Sequence, residues 1–131
     1  MKMLQPPGWA APKGYANGVT SRGRLVFVAG QVGWNAAQQF ESSDFVAQAA
    51  QALANVVEVL REGGATPAHV VRMTWYVRDK REYLARQRAL GEAYRAVMGG
   101  HYPAMTAVEV SGFVEEGAQV EIEATAVVPE D

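Results

Sequence analysis

The sequence predicts an α+β fold, a mixed sheet with two helices on one face. Two observations predict it. The hydrophobic period switches between two residues, as in strands, and 3.6, as in helices. The segments then fall in the order β-β-α-β-α-β-β, with a last pair of strands that no helix separates. At 131 residues with no linker, repeat or low-complexity stretch, residues 1–131 read as one domain.

The elements follow in order. Pro6, Pro7 and Pro12 crowd residues 1–14, which read as an irregular arm. "YANGVTS" is a weak first strand, placed to form a hairpin with the stronger "LVFVAGQV" (25–32), which follows the turn signal "TSRG". "GWNAAQQFESS" (33–43) is a loop. Phe45, Val46, Ala49, Ala50, Leu53, Val56, Val57 and Leu60 then form a helical stripe, with Ser43 as N-cap, Asp44 at the positive end of the dipole and Gly63-Gly64 as the stop. "TPAHVVRMTWYVRD" (66–79) holds a strand with Val71, Met73, Trp75 and Val77 on one face. A second helix is expected over 80–98, with Tyr83, Leu84, Leu90, Tyr94 and Val97 apolar, ending at Gly99-Gly100. "AMTAVEV" (104–110) and "AQVEIEATAVV" (118–128) are strands, and the short linker between them suggests an antiparallel pair.

Composition narrows the function. The chain is 49% hydrophobic and 20% charged with a net charge of −2, which suits a soluble globular protein and gives no clustered basic face for nucleic acid. It has no cysteine, which removes thiol and thiolate chemistry, and its two histidines, His69 and His101, lack metal-ligand spacing. No apolar run reaches the ~18 residues of a membrane span, and "MKMLQPPGWAAPKGY" lacks the apolar core of a signal peptide, so a cytoplasmic location is expected. A sheet with helices on one side leaves its other side to cover. In a chain this small other subunits must cover it, so a closed homo-oligomer is expected.

Five stretches in order, "GYANGV", "LVFVAGQV", "AQAAQALANVVEVLREGGATPAHVVRMTWYVRD", "YPAMTAVEV" and "VEIEATAVV", resemble the Rid family of reactive intermediate deaminases, the YjgF type, over residues ~13–128. The resemblance implies a chorismate-mutase-like subunit, a homotrimer with a barrel-like core of inward sheets, and a small-molecule cleft at each subunit interface. It implies hydrolysis of enamines and imines to a carbonyl compound and ammonia, with no cofactor or metal. It also implies an arginine that grips the substrate carboxylate and a glutamate that positions the attacking water.

Carried over by residue, the glutamate falls on Glu121 and the tyrosine near the N-terminus on Tyr15. The glycine of the family's S-G-Q falls on Gly30, with Ala29 in place of the serine. An asparagine of the second helix falls on Gln87, or on Arg88 with the gap placed differently. Trp34 lies in the loop that the family places at the cleft mouth, where it either stacks a flat ligand or anchors the arm; Trp9 and Trp75 read as structural. The family's arginine falls on Met105. A guanidinium offers a fork of donors to a carboxylate; methionine offers none. A buried unpaired carboxylate costs several kcal/mol, so the expected substrate is an imine without an adjacent free carboxylate, unless Arg88 or Arg22 takes over. The alternative is a trimer that binds or regulates without turnover, with Met105 filling an inactive cleft and Glu121 an ordinary strand acid.

Overall fold

The computed structural model describes residues 1–130. It contains β1 (Lys2–Leu4), β2 (Gly18–Thr20), β3 (Arg24–Val32), α1 (Phe45–Glu62), a 3₁₀ turn (Pro67–His69), β4 (Val70–Val77), α2 (Lys80–Ala85), α3 (Gln87–Met98), β5 (Ala104–Glu109) and β6 (Val120–Val128). The main sheet has the order β3-β6-β4-β5, antiparallel except for the parallel β4–β5 pair. It is mixed, as predicted, but its closing strands are not neighbours. β5 pairs with β4, and β6 lies between β3 and β4. A parallel pair needs a long crossover, which residues 78–103 supply with α2 and α3. The linker 110–119 then carries the chain across β4, and β6, whose alternate residues Val120, Ile122 and Ala124 are buried, becomes a central strand.

The N-terminal segment also differs from expectation. Lys2–Leu4 is a strand, and β2 pairs with it rather than with β3. Gln5 joins this pair by accepting from Asn17 Nδ2 at 2.8 Å. At Gly23, φ is +151°, and a β-carbon there would meet Val128 at 2.8 Å from its carbonyl carbon. The chain turns sharply at this glycine, and β3 runs against β6 instead.

The α1 stripe is buried through Phe45, Ala49, Leu53, Val56 and Leu60, which pack on the sheet with Met73, Trp75 and Ile122. The N-cap is Asp44, not Ser43. Its carboxylate accepts from Ala47 N at 3.0 Å, and Ser42 Oγ accepts from Asp44 N. The bond from Ala47 N and the Arg86 guanidinium at 3.1 Å hold the Asp44 carboxyl below the usual carboxylate range. The helix ends at Gly63, as read from the sequence. The helix expected over 80–98 is two helices. They break at Arg86, whose φ of −112° leaves the helical region while its side chain ties back to Asp44 and Glu82. In β4 a bulge between Val70 and Arg72 sends Val70 into the core and leaves Val71 half-buried.

Candidate functional site

Strand alternation divides the predicted site residues between the two faces of the sheet. Met105 is paired in register with Met73, and Ala107 with the buried Trp75, so both face the helices. Glu121 is paired with Tyr76, and Tyr76 donates to Glu123 at 2.7 Å, so all three belong to the uncovered face.

On the helix side lies a cleft of about 520 Å³. Its floor is Trp75, Met105 and Ala107. The arm forms one wall with Lys13, Gly14 and Tyr15, held where Ala16 N donates to Pro103 O at 2.9 Å and Ala16 bridges Ala104. The other wall is one stripe of α3, Gln87, Leu90, Gly91, Tyr94 and Arg95, completed by Tyr83 and Tyr102. Helical spacing of i, i+3, i+4, i+7 and i+8 puts that stripe on a single face. Tyr94 stacks on Tyr102 with ring centres 5.1 Å apart and donates to His101 O at 2.6 Å. Burial pushes its phenol well above the usual range, so it remains a donor. Gln87 Nε2 donates one N–H to Tyr83 O at 2.6 Å, which leaves its other N–H and its Oε1 for a ligand.

On the uncovered face, a register shift between Val28 and Gln31 places Ala29 and Gly30 in a β-bulge. Here the glycine is required. A β-carbon at position 30 would stand 2.9 Å from Glu121 Cδ, so the carboxylate rests directly over Gly30. Glu121 is half-buried and has no hydrogen-bond or ion-pair partner among the described residues. Nearby, Ala29 lines a second hollow with Phe27, Arg72, Thr74 and Glu123. The Tyr76 phenol is held above its usual range, first by its hydrogen bond to Glu123 and then by burial and the charges of both glutamates.

The structure thus brings Tyr15, Gln87 and Met105 together in one cleft and Ala29, Gly30 and Glu121 together on the opposite face. Four residues singled out from the sequence lie outside both hollows. Trp34 lines neither hollow; its ring packs against Phe40 at 5.7 Å and its carbonyl accepts from Asn55, so it anchors its own loop rather than the arm. Arg88 points away from the cleft, 95% exposed and paired with Glu92 at 3.6 Å. Arg22 lines neither hollow. Trp9, read as structural, is an exposed side chain on the arm.

Sequence reasoning missed Arg95, Lys13, Tyr94 and Tyr102 in the cleft, and Tyr76 beside the glutamates. The spacing of Gln87 and Arg95, eight residues or about two turns apart, was the available signal for Arg95. The histidines are structural: His69 Nδ1 accepts from Thr66 N at 3.0 Å, and His101 Nε2 lies 2.6 Å from Val70 O. Among the described residues no helix is long and apolar enough to cross a membrane.

Comparison with known proteins gives a consistent result. Residues 7–128 match the family model described as Endoribonuclease L-PSP. The chain is 33% identical over 105 residues to a RutC family protein of Haemophilus influenzae, covering 80% of each. It is 31% identical over 105 residues to the 2-iminobutanoate/2-iminopropanoate deaminase of Capra hircus, covering 79% of this chain and 73% of that one. The crystal structure of YyfB from Yersinia pestis, a protein of unknown function in the conserved Rid family, superposes with a TM-score of 0.85 at 36% identity, covering 97% of this chain and 98% of that one. With its α+β fold, mixed sheet and two main helices, the chain belongs to the Rid/YjgF/RutC family.

Proposed function

We propose that the protein hydrolyses an imine or enamine to a carbonyl compound and ammonia, at clefts between the subunits of a homotrimer, on a substrate with no free carboxylate beside the reacting carbon. The observation that carries this reading is Glu121, a half-buried carboxylate seated over Gly30 with no partner of its own. Such a group is free to take a proton from water. The water oxygen bonds to the imine carbon, and the C=N electron pair moves to nitrogen, which takes a proton. The resulting carbinolamine then breaks its C–N bond, releases ammonia and forms C=O. An enamine first takes a proton at its β-carbon. The reaction asks only for water and a proton carrier. Imine deaminases among the relatives make the reaction class familiar to this fold. A role in metabolite detoxification or catabolism follows from it.

The division of the site between two faces supports an interface location. Glu121 and the Met105 cleft cannot meet within one chain, yet a neighbour laid on the uncovered face would bring its own cleft to Glu121. That face also exposes Phe27 (71%) and Leu25 (56%), apolar surface of the kind that subunits cover. The expected solution species is a trimer at micromolar concentration; sedimentation giving a stable monomer overturns the interface site.

Met105 sets the substrate limit. The floor it shares with Trp75 and Ala107 carries no cation, so a carboxylate beside the imine carbon finds no opposite charge there. Ammonia release is the test. Imines and enamines lacking an adjacent carboxylate are expected to turn over, and 2-iminopropanoate and 2-iminobutanoate to turn over weakly. Met105→Arg is expected to raise the rate on the two imino acids. No release above the buffer rate from any of these substrates overturns the hydrolase. The second reading, a trimer that binds a small molecule without turnover, would then stand; it is favoured by the packing of Met105 against the core.

A further inference from the structure

The Met105 cleft has no acidic side chain in its lining but two basic ones, Lys13 and Arg95, in a protein whose net charge is −2. Neither has an ion-pair partner among the described residues. On the same helix as Arg95, Arg88 pairs with Glu92 at 3.6 Å. Arg95 instead folds back over Gly91, where an added β-carbon would stand 3.3 Å from its Nη1. With no side chain at Gly91, the guanidinium lies close over the helix.

We propose that Arg95, assisted by Lys13, is the anion anchor of this cleft and that the ligand is an amphipathic anion. Its flat apolar body lies on the Met105–Trp75 floor, and its carboxylate reaches the α3 wall. This rests on the hydrolase reading and sharpens it. The carboxylate is present but remote, separated from the C=N carbon by the apolar body, which is why the floor carries methionine. The stacked pair Tyr94 and Tyr102 gives an aromatic wall that fits such a body. Both cations are exposed to solvent, so the anion preference should weaken as salt rises.

The test is binding, independent of turnover. 3-Phenylpropionate and its neutral counterpart 3-phenylpropanol are titrated into the full chain and followed by calorimetry. The acid is expected to bind roughly tenfold tighter than the alcohol, the lower end of the range for a hydrogen bond to a charged group. Arg95→Gln should bring that ratio to about one while leaving the alcohol's affinity unchanged. Gly91→Ala crowds the guanidinium and should lower the ratio even though it raises the melting temperature by removing a glycine from a helix interior. That opposition separates an anchoring role from a merely structural one. Equal affinity of the parent for the two probes, failure to bind either included, overturns the proposal. So does an Arg95→Gln protein that keeps the parent's ratio. Ammonia release is measured on the same samples. A parent with the expected ratio but no turnover removes the hydrolase and leaves the anchor; turnover with no anion preference removes the anchor and leaves the hydrolase.

Discussion

Gln48→Leu is expected to lower the unfolding free energy by about 3 kcal/mol or more, read as a fall in the denaturant midpoint at unchanged slope. Gln48 lies in the first turn of α1, on its buried face beside Phe45 and Ala49, and is 1% exposed. Its Nε2 donates to Ser42 O at 2.9 Å and to Gly117 O at 2.8 Å, and its Oε1 accepts from Gln119 N at 2.8 Å. One side chain therefore supplies three backbone groups from two loops. Leucine fills the volume and supplies none of them. Each orphaned group costs about 1–3 kcal/mol where water does not reach it, against a total stability of about 5–15 kcal/mol. Backbone movement that admits water would bring the loss to the lower end. Gln48→Glu sharpens the test. It keeps the shape but sets a carboxylate against two carbonyl oxygens, so the folded protein raises that carboxyl's pKa. The folded state then binds more protons than the unfolded one. The deficit relative to the parent is smallest below about pH 4.3 and grows as pH rises towards the folded value. A Gln48→Leu midpoint within experimental error of the parent would show that the two loops are held by other contacts.

Gln48 also marks what the sequence hides. Its period places it on the buried stripe of α1, but a glutamine there gives no sign that it clamps residues 69 and 71 positions away. Elements with a strong local signal were legible: the core face of α1, its stop at Gly63, the strand alternation of β4 and the apolar β6. Partner choice between strands was not. Linker length made β5 and β6 look like a hairpin, while the parallel β4–β5 crossover depends on how α3 packs against α1, which periodicity does not encode. The same holds for the site. Tyr15, Gln87 and Met105, singled out by likeness to a known family, line one cleft, whereas Arg95 and Lys13 have no local motif and emerge only when the arm and α3 are set on either side of β5. The β-bulge at Ala29-Gly30 is partly legible, since a glycine inside a strand pattern marks a bulge or a close approach. What approaches it, Glu121, comes from a strand about ninety residues away, beyond any local reading.

Glu121→Gln is expected to lower kcat about 10²–10⁴-fold, the contribution typical of a positioned acid–base group, while leaving ligand affinity within a few-fold of the parent. The amide has nearly the same shape, so it keeps its seat over Gly30, but it cannot take a proton from water. The proposed ligand lining, with Met105 and Tyr15, comes from the neighbouring subunit and keeps its own contacts when one carboxylate oxygen of Glu121 becomes an amide nitrogen. A fall in kcat with steady affinity therefore separates chemistry from binding. Gly30→Ala supplies the geometric counterpart. Its methyl group would stand 2.9 Å from Glu121 Cδ, so the carboxylate must move while its charge and basicity stay. A displacement of about 1 Å can cost 10²-fold when a reacting geometry is lost, so Gly30→Ala should also lower kcat, though Glu121 is still present. Glu123 offers the control. Its carboxylate is already engaged by Tyr76 at 2.7 Å, so Glu123→Gln should leave most of the rate intact and mainly lower the Tyr76 phenol towards its ordinary range. If Glu121→Gln turns over at close to the parent rate, Glu121 is a solvated strand acid and the proton carrier must be sought elsewhere. If Glu121 and Glu123 prove equally necessary, the pair acts through the Tyr76 bridge, and the water is oriented by that network rather than by one carboxylate.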